Sequence, residues 1–132
     1  MSLWVYVMGE AISLGDLVDN KLLYVAANYL SWFLDLENDF SVVDKLSRAR
    51  TDKEIAEALY SALRIKNRLA KVAKNENKVK SESIFLNCIV PSDRIIGEII
   101  RLASRDPRAV GITLANLALS IRPYVPKCEG EK

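Results

Sequence analysis

Residues 21–36 read Lys21-Leu-Leu-Tyr-Val-Ala-Ala-Asn-Tyr-Leu-Ser-Trp-Phe-Leu-Asp-Leu36. The polar residues Lys21, Asn28, Ser31 and Asp35 recur at intervals of seven, three and four, and the residues between them are apolar. Those intervals draw one narrow polar stripe along a helix. A helix so apolar around its circumference is central in a bundle or covered by a partner. Its polar interruptions, and a length short of the ~20 apolar residues that span a bilayer, make it a buried helix rather than a membrane one.

Downstream, Asp35, Glu37, Asn38 and Asp39 break this helix into an acidic loop. Ser41 is placed to cap a short helix reaching about Leu46. Thr51-Asp-Lys-Glu54 is a capping box, with Thr51 at the N-cap and Glu54 at the third helical position. It opens a helix predicted to run to about Ala73, with Ile55, Leu59, Ala62, Leu63, Leu69 and Val72 on its core side. Asn75-Glu-Asn77 reads as a turn. Ile84-Phe-Leu-Asn-Cys-Ile-Val90 is rich in β-prone residues and reads as one arm of a small β-hairpin near residues 76–90.

Pro91-Ser92-Asp93 restarts a helix whose apolar side holds Ile95, Ile96, Ile99, Ile100 and Leu102. Asp106-Pro107 is a further start signal, with the acid as cap and proline at the first helical position. In the last helix, over residues 107–122, the small residues Ala109, Gly111, Ala115 and Ala118 permit close helix–helix approach. Pro123 and Pro126 then stop it. The expected fold is all-α, a helical bundle of about five helices with a small β-hairpin insertion. At 132 residues the size prior gives one domain over residues 1–132, with 1–12 and 123–132 extended or frayed. Half the residues are apolar and 27% are charged, a balance that excludes wholesale disorder.

Charge is sorted along the chain. Residues 1–44 hold seven acids and one base, a net of −6; residues 45–80 hold eleven bases and four acids, a net of +7; the rest sums to +1. Arg64, Arg68, Lys71, Lys74 and Lys78 recur every three or four residues, which aligns them on one helix face. Lys80 continues this stripe, and Arg48 and Arg50, with Lys45, extend it. A solubilising face mixes its signs. Between residues 64 and 80 there are seven bases and one acid, Glu76, a bias that points to a polyanion or an acidic partner. A weaker row holds Arg94, Arg101, Arg105 and Arg108, with Glu98 placed to pair with Arg94 and Arg101. Tyr29, Trp32 and Phe33 lie in the acid-rich third, away from the bases. They read as core or, because a small bundle has little room for two fully buried helices, as a protein–protein interface.

Chemistry is sparse. There is no histidine, which removes the commonest general base and metal ligand. No zinc or di-iron spacing and no phosphate-binding glycine loop is present. Asp35, Glu37 and Asp39 are the best set for a divalent cation, yet they read as a solvated loop. The expectation is a binding module rather than an enzyme, with no catalytic residue, metal or cofactor. Cys88 and Cys128 show no metal-type spacing. Cys128 reads as a free thiol in a polar tail, with a bridge to Cys88 left open. The N-terminus has no basic segment leading into a signal core, so the compartment is expected to be cytoplasmic.

The apolar first helix, the acidic break, Glu57-Ala-Leu-Tyr-Ser-Ala-Leu-Arg64, the expected β insertion and the closing Arg105-Asp-Pro-Arg-Ala-Val-Gly-Ile-Thr-Leu-Ala-Asn-Leu-Ala-Leu helix together form a pattern. It resembles the small subunit of the archaeal type I-A CRISPR interference complex, over roughly residues 21–124. The resemblance implies a non-catalytic subunit that sits beside the CRISPR backbone and large subunits and helps to hold crRNA and target DNA. It would map Arg64, Arg68 and Lys71 to the nucleic-acid side and turn the acidic third towards protein. The alternative is an adaptor that self-associates head to tail through its acidic and basic thirds, a homo-oligomer with no direct nucleic-acid role. A metal-dependent nuclease using the acidic loop is the least favoured reading.

Overall fold

The computed structural model describes residues 4–7, 10–13 and 21–127. Two short strands, β1 (Trp4–Val7) and β2 (Glu10–Ser13), pair antiparallel with Trp4 opposite Ser13. From residue 21 onward the described chain is helical and contains no strand. Its elements are α1 (Lys21–Glu37), α2 (Ser41–Arg48), α3 (Asp52–Leu63), α4 (Lys66–Asn75), α5 (Glu82–Ile84) running into a π-helical turn (Phe85–Ile89), α6 (Asp93–Arg105) and α7 (Pro107–Ser120).

α1 is the central element, packed against α4, the π-turn, α6 and α7. Every residue from 26 to 34 is buried, so the apolar circumference read from the sequence is satisfied within one chain. Its buried polar groups are paired, as burial requires. Residues 121–127 have no regular structure, but they are bound along α1 rather than frayed. Asn28 donates through Nδ2 to Tyr124 O (2.8 Å) and accepts from Tyr124 N (2.9 Å). Trp32 Nε1 donates to the same carbonyl (3.0 Å), and the Ser31 hydroxyl donates to Ile121 O (2.9 Å). The tail thus covers the middle of the polar stripe of α1.

The small residues of α7 act as expected. Gly111 is buried, and a Cβ added there would stand 2.2 Å from Leu46 O and 2.9 Å from Ile55 Cδ1. The backbones of α2 and α7 therefore meet at a distance that only glycine permits.

Three expectations need correction. No hairpin forms over residues 76–90, because the segment winds up instead. Ser81 caps α5 by accepting from Ile84 N (3.1 Å). Phe85 and Ile89, four residues apart, are both buried, and Phe85 sets its ring edge-on to Tyr29 and Trp32 (centroids 6.3 and 6.0 Å). Packing of that pair overrides the β-propensity of the run, which is itself context-dependent. The extra residue is absorbed as a π-turn, closed by Val90 N donating to Phe85 O (3.0 Å).

The helix expected from Thr51 to Ala73 is two helices, broken at Arg64-Ile65. Apolar positions 55, 59 and 62 and positions 69, 70 and 73 would join through position 66, which is a lysine. A straight helix would turn Lys66 towards the core; the break leaves it exposed and half-buries Ile65. The Ala62 carbonyl, whose straight-helix donor would be Lys66 N, instead accepts from the Tyr29 hydroxyl (2.8 Å). Burial, aided by the nearby negative charge of Glu37, raises the Tyr29 phenol well above its ordinary value, so it stays a donor.

Ser41, third, does not cap α2. It is the first helical residue, and its N–H donates to Asp39 Oδ1 (2.9 Å). The caps at Thr51 and Asp106 form as expected, accepting from the N–H groups of Glu54 and Ala109, and within the Pro91-Ser92-Asp93 start Ser92 is the cap, accepting from Ile95 N. The Glu54 carboxylate reaches one residue beyond the cap, to Arg50 N (3.0 Å).

Candidate nucleic-acid interface

The basic stripe lies on α4, the joint before it and the turn after it. α4 ends in a Schellman arrangement: Asn77 takes the left-handed conformation (φ 59°), and Asn77 N and Lys78 N donate to Lys74 O and Ala73 O (3.0 and 2.9 Å). That turn carries Lys78 back towards α1. Arg64, Lys66, Arg68, Lys71, Lys74, Lys78 and Lys80 are all exposed.

The acidic break answers two of the seven. Arg68 Nη2 lies 2.7 Å from Glu37 Oε1, and Lys78 Nζ bonds Asp35 Oδ2 and stands 3.2 Å from Glu76 Oε2. The Asp35 hydrogen bond holds the Lys78 ammonium above its ordinary value. Asp39, the third acid of the loop, accepts from the Ser41 N–H, which lowers its carboxyl below the usual range. Pairs this exposed contribute little to stability, but they neutralise charge. Among the described residues no ion pair involves Arg64, Lys66, Lys71, Lys74 or Lys80.

The acids weighed as cation ligands are thereby occupied with the chain's own donors. Among the described residues, no group of three or more acids and cysteines is close enough to hold a metal ion.

The flanking bases divide similarly. Arg48 pairs with Asp44 (3.1 Å), and Arg101 with Glu98 (3.4 Å), which makes no ion pair with Arg94. Arg50 and Arg105 are exposed and in no ion pair among the described residues. Arg108 is half-buried, and its Nε lacks a hydrogen-bond partner among the described residues, as does Oδ2 of the buried Asp106. Of the two readings of Tyr29, Trp32 and Phe33, the core one holds and the interface one is corrected: they are 1, 4 and 4% exposed. Cys88 is disulfide-bonded; the one other cysteine of the sequence, Cys128, is outside the described residues.

Two residues missed in the sequence belong to this surface. Lys66 was absent from the stripe because a straight helix would have turned it inward. Tyr60, one turn before Arg64, looked like part of the apolar run around it, yet it is 41% exposed. Together with Leu63, Arg64, Lys66, Val90, Pro91 and Asp93 it lines a cleft of about 250 Å³.

No helix among the described residues is long and apolar enough to cross a membrane. No family model, curated protein or solved structure matches the chain.

Proposed function

We propose that this chain is a non-catalytic, nucleic-acid-facing subunit of a ribonucleoprotein, of the kind the resemblance to a CRISPR interference small subunit implies. The observation that carries this reading is the set of five exposed cations between residues 64 and 80 that no acid of the described chain answers. Unpaired like charges on one small surface repel one another, and a phosphate backbone relieves that while releasing its counterions. In this reading Arg64, Lys66, Lys71, Lys74 and Lys80 carry the phosphate contacts. Arg68 and Lys78 hold the acidic loop, and Arg50 and Arg105 are outlying contacts. Docking on protein subunits falls to surface apolar residues, foremost Phe40 and Leu119, which are 54 and 55% exposed beside a groove also lined by Leu34 and Pro123.

The self-associating adaptor is the weaker reading. Head-to-tail association needs the acidic loop and the basic stripe to meet between copies, whereas Glu37 and Asp35 already meet Arg68 and Lys78 within one chain.

Fluorescence anisotropy of labelled single-stranded RNA, single-stranded DNA and duplex tests the proposal. The wild type is expected to bind at low salt and release as salt rises, and Arg64→Glu/Lys71→Glu/Lys74→Glu to lose binding. Absence of wild-type binding to all three at low salt would overturn it.

A further inference from the structure

Resting on that reading, we infer that the cleft beside the joint between α3 and α4 is a subsite for one unpaired nucleobase, stacked on Tyr60, so that the strand held by the stripe is single-stranded where it passes. Three features converge there. Tyr60 is the exposed aromatic residue inside the basic segment, and its ring and hydroxyl make no contact with another ring and no hydrogen bond among the described residues. Leu63, Val90 and Pro91 give the cleft apolar lining, and at about 250 Å³ it is smaller than the roughly 300–1,000 Å³ of sites for drug-sized ligands. That is room for one base and not for a folded peptide element. Its charged rim is divided, with Arg64 and Lys66 as cations and Asp93 as the acid.

The division sets the orientation of the ligand. Asp93 repels phosphate, so the backbone runs on the side of Arg64 and Lys66 and the base turns inward to Tyr60. Both cations lack an ion pair among the described residues. An aromatic face beside backbone-tracking cations is the combination that holds single strands without reading sequence. Bases stacked within a duplex cannot present a face to it.

The test titrates wild type, Tyr60→Leu, Tyr60→Trp and Arg64→Glu/Lys71→Glu/Lys74→Glu with a single-stranded oligonucleotide and with an abasic oligomer of the same length. Stacking lost at one base predicts that Tyr60→Leu binds the oligonucleotide about five- to tenfold more weakly at an unchanged salt slope. The same variant should bind the abasic oligomer like wild type, and Tyr60→Trp should retain full affinity. If Tyr60→Leu matches wild type on the oligonucleotide while the charge variant does not bind, the subsite is refuted and the stripe reading stands; Tyr60 would then face a protein. Equal weakening on both ligands would also refute stacking. If wild type binds neither ligand, the underlying reading fails and the subsite with it.

Discussion

α1 and α4 are both crowded with groups that want partners, and they treat them in opposite ways. On α1, Asn28, Tyr29, Ser31 and Trp32 direct every donor at a carbonyl of the same chain, at Tyr124, Ala62 or Ile121. On α4 and its flanks, among the described residues, seven cations meet only two acids from across the fold, and five make no ion pair. A polar group satisfied inside the chain is there for the fold. A cluster of like charges left unpaired costs self-repulsion, and its use is outside the chain.

If that contrast holds, substitutions near α1 should change stability and leave binding intact, and those on the stripe should do the reverse. The largest effect is expected at Phe85, which is fully buried against Tyr29 and Trp32. Phe85→Ala should cost about 3–5 kcal/mol in denaturant unfolding. Gly111→Ala should follow at about 2–3 kcal/mol, because the new methyl meets the Leu46 backbone; thermal unfolding would reveal it. Tyr29→Phe leaves the Ala62 carbonyl unsatisfied and should cost about 1–3 kcal/mol at neutral pH.

The same tyrosine gives a pH test with a definite sign. Its folded-state value lies above the ordinary 10.0, so the unfolded chain loses this proton first. Its contribution is complete below pH 10 and is lost as pH rises beyond it. Wild-type stability should therefore fall more steeply above about pH 10 than that of Tyr29→Phe, followed by chemical unfolding at stepped pH. The smallest effect is expected at the stripe's paired members: Arg68→Ala or Lys78→Ala should shift stability by less than about 1 kcal/mol.

The helical class, the central α1, the caps at Thr51 and Asp106 and the helix start at Pro91-Ser92-Asp93 were legible because they rest on local spacing and local hydrogen bonds. What was hidden depends on contacts distant in sequence. The β-prone run of residues 84–90 became helical because Phe85 finds Tyr29 and Trp32 more than fifty positions away. The break at Arg64-Ile65 needs the Tyr29 hydroxyl to take over the Ala62 carbonyl, which no window around residue 64 contains. The stripe itself was visible as charge spacing. Its division into Arg68 and Lys78, which are paired, and Arg64, Lys66, Lys71, Lys74 and Lys80 was not, because the pairing acids belong to a different helix end. Tyr60 was hidden by its neighbours: inside Ala-Leu-Tyr-Ser-Ala-Leu an aromatic residue is indistinguishable from core.

The measurement that tests the central claim most directly is the salt dependence of single-strand binding in two charge-deletion variants. Arg64→Ala/Lys71→Ala/Lys74→Ala removes three cations with no acid partner among the described residues, and Arg68→Ala/Lys78→Ala removes two that have one. With about 0.7 units of slope per phosphate contact on a single strand, the first variant should flatten the log–log salt slope by about two. The second should change it by less than one. Equal slopes in both variants and wild type, or a larger loss from the paired residues, would contradict the claim that the unanswered cations form the binding surface.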